Sequence, residues 1–487
     1  MNRPMIRKIL GYVIAIEGVL MVLPVIVALI YREKNGLYFL AAAIGCILLG
    51  IAMFWRKAKS QVFYLKEGCV ATALSWIIMS ILGCLPFCLS GQIPSFTDAL
   101  FETISGFTTT GASVVNDVEA LDNCMLFWRS FTHWIGGMGV LVFLLAIVPM
   151  QGGSHMNLMK AESPGPSVGK LVPKVRHTAR ILYAIYFGMT VIECILLLIG
   201  KMPVMDALCI SFGTAGTGGF GIRADSCAGY SPYLQWVITI FMICFGINFN
   251  FYYYLLFCQV KKAVSMEEVK TYLAVILAAV AIIFCELMRV SGGALTHLRE
   301  AAFQVGSIIT TTGYATVDFN LWSERCRVVL VLLMFIGACA GSTGGGIKVS
   351  RFVILVKTLG KELGSYIHPN SVKKIKMDGK PIEHEVVRAV NVYFITFILI
   401  FATSVFLVSF DDTDLITNFT AVAATINNIG PGLEMVGPCA NFFHLSGFSK
   451  YVLMFDMLAG RLELFPLLIL LHPTIWKQMI PCRHKKG

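Results

Sequence analysis

The chain has 487 residues, of which 57% are hydrophobic and only 14% charged, with a formal net charge of +11. Soluble domains carry about a quarter charged residues, so this composition excludes both a soluble enzyme and a disordered low-complexity chain. It is the composition of a polytopic membrane protein with no large soluble domain.

Apolar runs long enough to cross a bilayer lie at 11–30, 37–55, 70–90, 126–150, 181–200, 232–257, 271–290, 327–350, 390–410 and 451–471. At about 20 residues per crossing they predict ten spans. Four shorter, half-apolar stretches lie between spans, at 95–107, 203–213, 296–309 and 412–425. Each is too short to span as a helix, and each is followed by a loop rich in Thr and Gly or in Asn and Gly. The fifteen Cys are scattered without a Cys-x-x-Cys pair, which reads as apolar packing rather than metal binding. Cys124, Cys227 and Cys439 fall in predicted outer loops and leave a disulfide open.

Charge sets the topology. The segments 1–10, 56–66, 151–180, 258–270, 351–388 and 473–487 hold 27 of the 39 Lys and Arg. The intervening loops are poor in basic residues and carry acids such as Asp117, Glu119 and Asp122. The positive-inside rule puts the basic segments in the cytoplasm, with both termini inside. The basic excess therefore reflects topology, not nucleic-acid binding.

All four short stretches then lie on the outer side, each between an entering and a returning span. The unit of span, short helix, Gly-containing loop and span occurs four times after a two-helix preface. The expected fold is an all-α integral membrane protein of four such repeats in pseudo-fourfold arrangement. Expected bounds are 1–60 for the preface and 61–155, 156–262, 263–355 and 356–487 for the repeats.

The loops read Thr108-Thr109-Thr110-Gly111, Gly216-Thr217-Gly218-Gly219, Thr310-Thr311-Thr312-Gly313 and Asn427-Asn428-Ile429-Gly430-Pro431-Gly432. Non-helical backbone at membrane depth is tolerated only where protein buries it or where it lines a water-filled path. Four such loops converging on one axis would aim four helix C-termini at that axis. A Gly with positive φ turns successive carbonyls the same way, and rings of carbonyl oxygens replace the hydration shell of a cation. The aligned glycines are expected to be Gly111, Gly218, Gly313 and Gly430. One such loop would be a surface turn; four in register predict a pore.

The stretch Phe101-Glu102-Thr103-Ile104-Ser105-Gly106-Phe107-Thr108-Thr109-Thr110-Gly111-Ala112 resembles the Trk/Ktr/HKT superfamily of potassium transporters, in its TrkH/TrkG type. So do His133-Trp134-Ile135-Gly136-Gly137-Met138-Gly139, Ala161-Glu162-Ser163-Pro164-Gly165-Pro166 and the Asn427–Gly432 loop. The resemblance covers nearly the whole chain, and the two-helix preface favours the ten-span TrkH type. It implies a pseudo-fourfold pore in one chain and a homodimer of chains in the lipid membrane. It implies K⁺ as the transported ion, held by the carbonyls of Thr109, Thr110, Gly216, Thr217, Thr311, Thr312, Asn428 and Ile429. In plant relatives a Ser in place of the first filter Gly goes with sodium transport; Gly111 here favours potassium. The second loop departs from the pattern, with an additional Gly where the others have Thr. The resemblance also implies a peripheral, nucleotide-binding cytoplasmic subunit of the TrkA kind, for which 151–180 and 351–388 are the expected docking surfaces. No cofactor is expected.

The eighth span is interrupted by Gly337-Ala338-Cys339-Ala340-Gly341-Ser342-Thr343-Gly344-Gly345-Gly346-Ile347-Lys348. Each Gly costs a helix about 1 kcal/mol relative to Ala, so a broken segment is predicted. The resemblance makes it a gating loop, with Gly341, Gly344, Gly345, Gly346 and Lys348 as its candidate residues. Arg461 lies inside the last span, where a cation costs at least ~2.5 kcal/mol. It must face a cavity or a partner: either the pore, as an electrostatic barrier to cations, or an ion pair with Glu463 or Asp456. Glu286 and Arg289 are spaced to pair on one helix face.

Three motifs mislead. Gly216 to Gly221 fits G-x-G-x-x-G but has no strand before it. Gly341 to Lys348 approaches a P-loop with Ile347 in the Lys position. His384-Glu385-Val386-Val387-Arg388 approaches H-E-x-x-H but lacks the second His, and with it a zinc ligand.

Overall fold

The computed structural model describes residues 1–55, 64–139, 175–289, 293–369 and 374–479. The Ala161–Pro166 motif, the tail of the predicted 126–150 span, the expected 155/156 boundary and most of the basic segment 151–180 lie outside the described residues.

Two helices, Arg3–Tyr31 (kinked at Met21) and Gly36–Phe54, open the chain. They cross in close contact because Gly11, Gly18 and Gly50 stand at the crossing. A methyl at Gly11 would come within 2.9 Å of the Gly50 carbonyl, and one at Gly50 within 2.7 Å of Ala15. Close approach through small residues is how helices associate where lipid removes the hydrophobic drive.

Four units follow. The entering helices are Leu65–Leu89, Val175–Ile199, Glu267–Leu287 and His384–Val408. The short helices are Phe96–Phe107, Val204–Gly216, Ala294–Ile309 and Leu415–Ile426. At 1.5 Å per residue a 12-residue helix covers about 18 Å, roughly half of a bilayer core. Their starts are set locally: Ser95 Oγ accepts from the Asp98 N–H, and Asp414 Oδ1 accepts from the Thr417 N–H at 2.9 Å. Both are ordinary N-caps.

The inner helices are not continuous. Among the described residues, six helices are long and apolar enough to cross a membrane. The predicted continuous span over 232–257 is two helices, Pro232–Phe245 and Phe249–Leu256, bent by 93°. The eighth breaks after Glu324–Phe335 and resumes at Val349–Ile367; the tenth breaks between Gly447–Arg461 and Phe465–Leu471. Asn123–Gly137 ends in a Gly pair.

Each inner helix packs on the short helix of the next unit. Phe131 meets Phe212 at 5.3 Å between ring centroids, and a methyl at Gly306 would touch Ile243 at 3.5 Å. Phe335 meets Phe419 at 6.1 Å. The circuit closes between the fourth and first units, where Lys450 pairs with Asp98 at 2.7 Å and Tyr451 shares a hydrogen bond with Thr97. The arrangement is therefore a closed pseudo-fourfold ring with the N-terminal pair outside it.

Glu286 and Arg289 pair as expected, and Arg325 joins them at 2.9 Å. No disulfide forms among the described cysteines: Cys124 and Cys227 are buried and free, Cys439 exposed and free.

Candidate functional site

The four short helices all end the same way. Thr109, Thr217, Thr311 and Asn428 have φ of 56, 53, 60 and 55°. In each case the N–H of that residue bonds three residues back, to Gly106, Thr214, Ile308 and Thr425, and the next N–H bonds five back, to Ser105, Gly213, Ser307 and Ala424. This is the Schellman ending, which normally takes Gly at the left-handed position. Threonine there is a real outlier. Such strain costs about 1–3 kcal/mol per residue and persists only where the surroundings enforce it. Three strained threonines at equivalent positions are not surface turns.

Two residues on, the chain takes a second positive φ, at Gly111 (80°), Gly219 (78°), Gly313 (86°) and Gly430 (100°). This corrects the expected register of the second loop. Gly219, not Gly218, matches Gly111, and the preceding pair is Thr217 and Gly218 rather than Gly216 and Thr217. The hydrogen bonds decide it: Gly218 N–H reaches Gly213 as Thr110 N–H reaches Ser105. Gly216 is the counterpart of Thr108.

These glycines join the loops into a ring. A methyl at Gly111 would strike the Gly218 carbonyl oxygen, one at Gly219 that of Thr312, and one at Gly313 that of Ile429. One at Gly430 would come within 2.8 Å of the Thr110 oxygen. The order first, second, third, fourth, first closes on itself.

Thr108 and Thr310 turn their side chains back toward their own helices. Thr108 Oγ1 donates to the Ile104 oxygen at 2.7 Å and is 2.8 Å from Thr110 Oγ1. Thr310 repeats this with Gly306 and Thr312 at 2.6 and 2.7 Å. Asn428 Nδ2 donates to Thr110 Oγ1 and to the Met457 oxygen, both at 2.9 Å, lacing the fourth loop to the first. Among the described residues no donor reaches the carbonyls of Thr109, Thr110, Thr217, Gly218, Thr311, Thr312, Asn428 or Ile429. Buried carbonyls without donors are rare, and here they come from the same two positions of all four loops, with those of Thr110, Gly218, Thr312 and Ile429 at the loop-to-loop contacts.

The Gly337–Lys348 segment lies directly beneath. Its polar backbone is satisfied away from any helix: Gly337 N–H to Ile347 O, Cys339 N–H to Gly246 O at 3.0 Å, and Gly345 N–H to Thr311 Oγ1 at 2.6 Å. Glu268, 4% exposed, accepts from the N–H groups of Ala340 and Ser350 and faces Asn248. Methyls at Gly344 and Gly345 would come within 3.0 and 2.6 Å of the Thr310 and Asn427 carbonyls. Gly341 and Gly346 have φ of 69 and 66°. Lys348, 2% exposed, donates Nζ–H to the carbonyls of Gly344 and Gly345.

Arg461 ends the last inner helix and does not pair with Glu463 or Asp456. It donates to the Thr343 oxygen at 2.9 Å on the loop and to the Gly136 and Gly137 oxygens across the ring. Asp456 bonds Ser404 instead, and Glu463 pairs with Arg351, whose guanidinium lies 3.8 Å over Tyr393. Loop and Arg461 together reach from the third and fourth units to the first, and set two cationic side chains below the carbonyl ring.

Sequence reasoning missed Glu268, the Arg351–Glu463 pair and a buried Glu102–Arg129 pair that binds Ser113 Oγ and the Gly221 carbonyl beside the ring. The signal was the one used for Arg461, a charge inside an apolar run, and Arg129 in the predicted 126–150 span carries it.

A sequence profile of the TrkH family, described as cation transport protein, matches residues 36–478. The Trk system potassium uptake protein TrkH of Salmonella typhimurium is 36% identical over 485 residues, 97% of this chain and 99% of that protein. TrkG of Escherichia coli is 30% identical over 96% of this chain and 97% of its own. The crystal structure of the potassium transporter TrkH from Vibrio parahaemolyticus is similar with a TM-score of 0.87 at 32% identity, covering 98% of this chain and 100% of that one.

Proposed function

The chain belongs to the TrkH family of cation transport proteins, a family of transporters and not of enzymes, and on that premise we propose that it takes up K⁺ across the cytoplasmic membrane. The ion is selected in the ring formed by the carbonyls of Thr109, Thr110, Thr217, Gly218, Thr311, Thr312, Asn428 and Ile429. The single observation that carries this reading is the closed cycle of donor-free carbonyls at Thr110, Gly218, Thr312 and Ile429, each of these four lying against the left-handed Gly of the neighbouring loop. Such a ring replaces the hydration shell of a cation. Gly111 in place of Ser favours potassium over sodium. The 337–348 loop, held by Lys348 and Arg461, is the gate: its position under the ring and its positive charge oppose cation passage until it moves.

The relatives are named for K⁺ uptake, which supports the choice of ion. On the family pattern the protein works as a homodimer with a peripheral, nucleotide-binding TrkA-like subunit on its cytoplasmic face. The 351–388 segment supports such docking: it is a helix, Val349–Ile367, followed by a small hairpin held by Lys357 and Asp378 against Glu267. The second reading is a sodium-permeable or non-selective pathway of the same fold.

The test is ion flux into proteoliposomes of the purified protein, with K⁺, Rb⁺, Na⁺ and Li⁺ compared. Flux of K⁺ and Rb⁺ well above Na⁺ is expected. Equal Na⁺ flux selects the second reading. A preparation silent to all four ions is repeated with Arg461→Ala, and silence there too rejects a gated pore.

A further inference from the structure

The second loop lacks the side chain that its three counterparts carry. Thr110, Thr312 and Ile429 stand where it has Gly218. The space is filled by a residue of another unit: a methyl at Gly218 would overlap the ring of His133, with Cδ2 at 2.6 Å. His133 is fully buried on the inner helix of the first unit. A methyl at Gly216 would likewise strike the His133 carbonyl.

The ring is held at both ends. Nδ1 is 2.8 Å from the Gly106 carbonyl, and Nε2 accepts the Phe220 N–H at 3.3 Å. These partners fix a neutral imidazole with its proton on Nδ1, because a carbonyl can only accept and a backbone N–H can only donate. The imidazole also lies 4.3 Å from the Phe220 ring, over which the Arg129 guanidinium stands at 3.8 Å. His133 thus ties the short helix of the first unit to the loop of the second, and braces the peptide whose carbonyl the left-handed Gly111 abuts.

We infer that His133 is a positioning residue for ion selectivity: its imidazole substitutes for the missing side chain of the second loop and sets the direction of the Gly218 carbonyl. This rests on the reading of the carbonyl ring as the selectivity filter. It also explains the departure of the second loop, since Gly218 is Gly to admit the imidazole.

The test is the K⁺ to Na⁺ flux ratio, a readout independent of how much protein is active. His133→Ala removes both the filling ring and one backbone hydrogen bond. The ratio is expected to fall about threefold to tenfold, the effect of one net hydrogen bond. Gly218→Thr in the presence of His133 is expected to lower the ratio further by overlap with the ring. The decisive variant combines them: His133→Ala with Gly218→Thr gives the second loop the Thr-Thr-Gly ending of the first and third, and is expected to recover selectivity relative to Gly218→Thr alone. A double variant no better than Gly218→Thr overturns the inference. His133→Asn, which keeps a donor for Gly106 but has no ring, replaces His133→Ala in both the single and the double variant if the alanine form does not assemble. Gly111→Ser serves as the reference. If it changes the ratio while His133 variants do not, His133 is only structural and the filter stands. If neither changes it, the filter reading fails and this inference with it.

Discussion

A left-handed threonine is the residue-scale signature of this ring, and it is invisible in composition. Three of the four second positive-φ positions were legible, because Gly111, Gly313 and Gly430 are the lone glycines closing Thr-Thr-Thr or Asn-Asn-Ile runs. The fourth was not. Gly216, Gly218 and Gly219 are equivalent by composition, and only the Schellman bonds tell which turns left. The assignment has a consequence. Gly219→Ala forces a Cβ onto a φ of 78° and against the Thr312 carbonyl, so K⁺ selectivity is expected to fall at least about tenfold, given strain of 1–3 kcal/mol on top of the overlap. Gly447→Ala, at a position with nothing within 4 Å of the added methyl, is expected to leave flux and selectivity unchanged. The pair is read from Rb⁺ and Na⁺ fluxes of the same preparations, and a selective Gly219→Ala protein defeats the register. Arg461 was legible as a buried charge that needed a partner. Its partners were not, because the chain turns left-handed at Glu463 and Leu464 (φ 56 and 65°) and carries Glu463 away to Arg351. Arg461→Ala is expected to raise K⁺ flux in the absence of a cytoplasmic subunit. Arg461→Lys is expected to fall between the two, because an ammonium keeps the charge but cannot fork to carbonyls on both sides as a guanidinium does.

At the scale of elements, the apolar runs located all four entering helices and all four short helices, with the short helices placed within about three residues and the entering helices starting four to six residues earlier than read. The inner helices were read as continuous in three cases of four, and the reason is physical. A break below the ring needs acceptors and donors from elsewhere in the fold, and those are non-local. The eighth span announced its break with five glycines, whereas the 93° bend after Phe245 depends on Cys339 and Thr343 bonding Gly246 and Phe245 from another unit. Glu268 is the joint that holds both. It accepts from Ala340 at 2.6 Å and Ser350 at 3.1 Å on either arm of the loop, and faces Asn248 at the bend. Hydrogen bonds to a charged group are worth about 1.5–3 kcal/mol each. Glu268→Ala removes two of them from the loop and is expected to shift its opening equilibrium by at least tenfold. Faster amide exchange over 338–350, with no change over the buried short helix Leu415–Ile426, is the observation that checks it. Exchange rising equally in both segments points instead to general loss of fold.

For the whole molecule, the fourfold repeat was legible from order alone, because a short helix between two spans leaves no other way to bury its loop. What order could not give is closure, which rests on contacts between the first and last units such as Lys450 with Asp98. The charge distribution predicts an orientation in the membrane, and the protein carries its own probes of it. Cys439 is exposed in a loop on the side of the carbonyl ring, and Cys258 is exposed in a basic segment on the side of the 351–388 helix. The other described cysteines are buried, half-buried or, at Cys285, within an apolar span. The basic segments hold most of the Lys and Arg, and short basic loops stay on the cytoplasmic side. A membrane-impermeant maleimide applied to intact cells is therefore expected to label Cys439, with labelling lost in Cys439→Ser. Cys258 is expected to react only after permeabilisation, an increment lost in Cys258→Ser. Labelling of Cys258 in intact cells reverses the orientation. The ring would then face the cytoplasm and the loop and Arg461 the outside, and uptake selected at an outer entrance would no longer describe the protein.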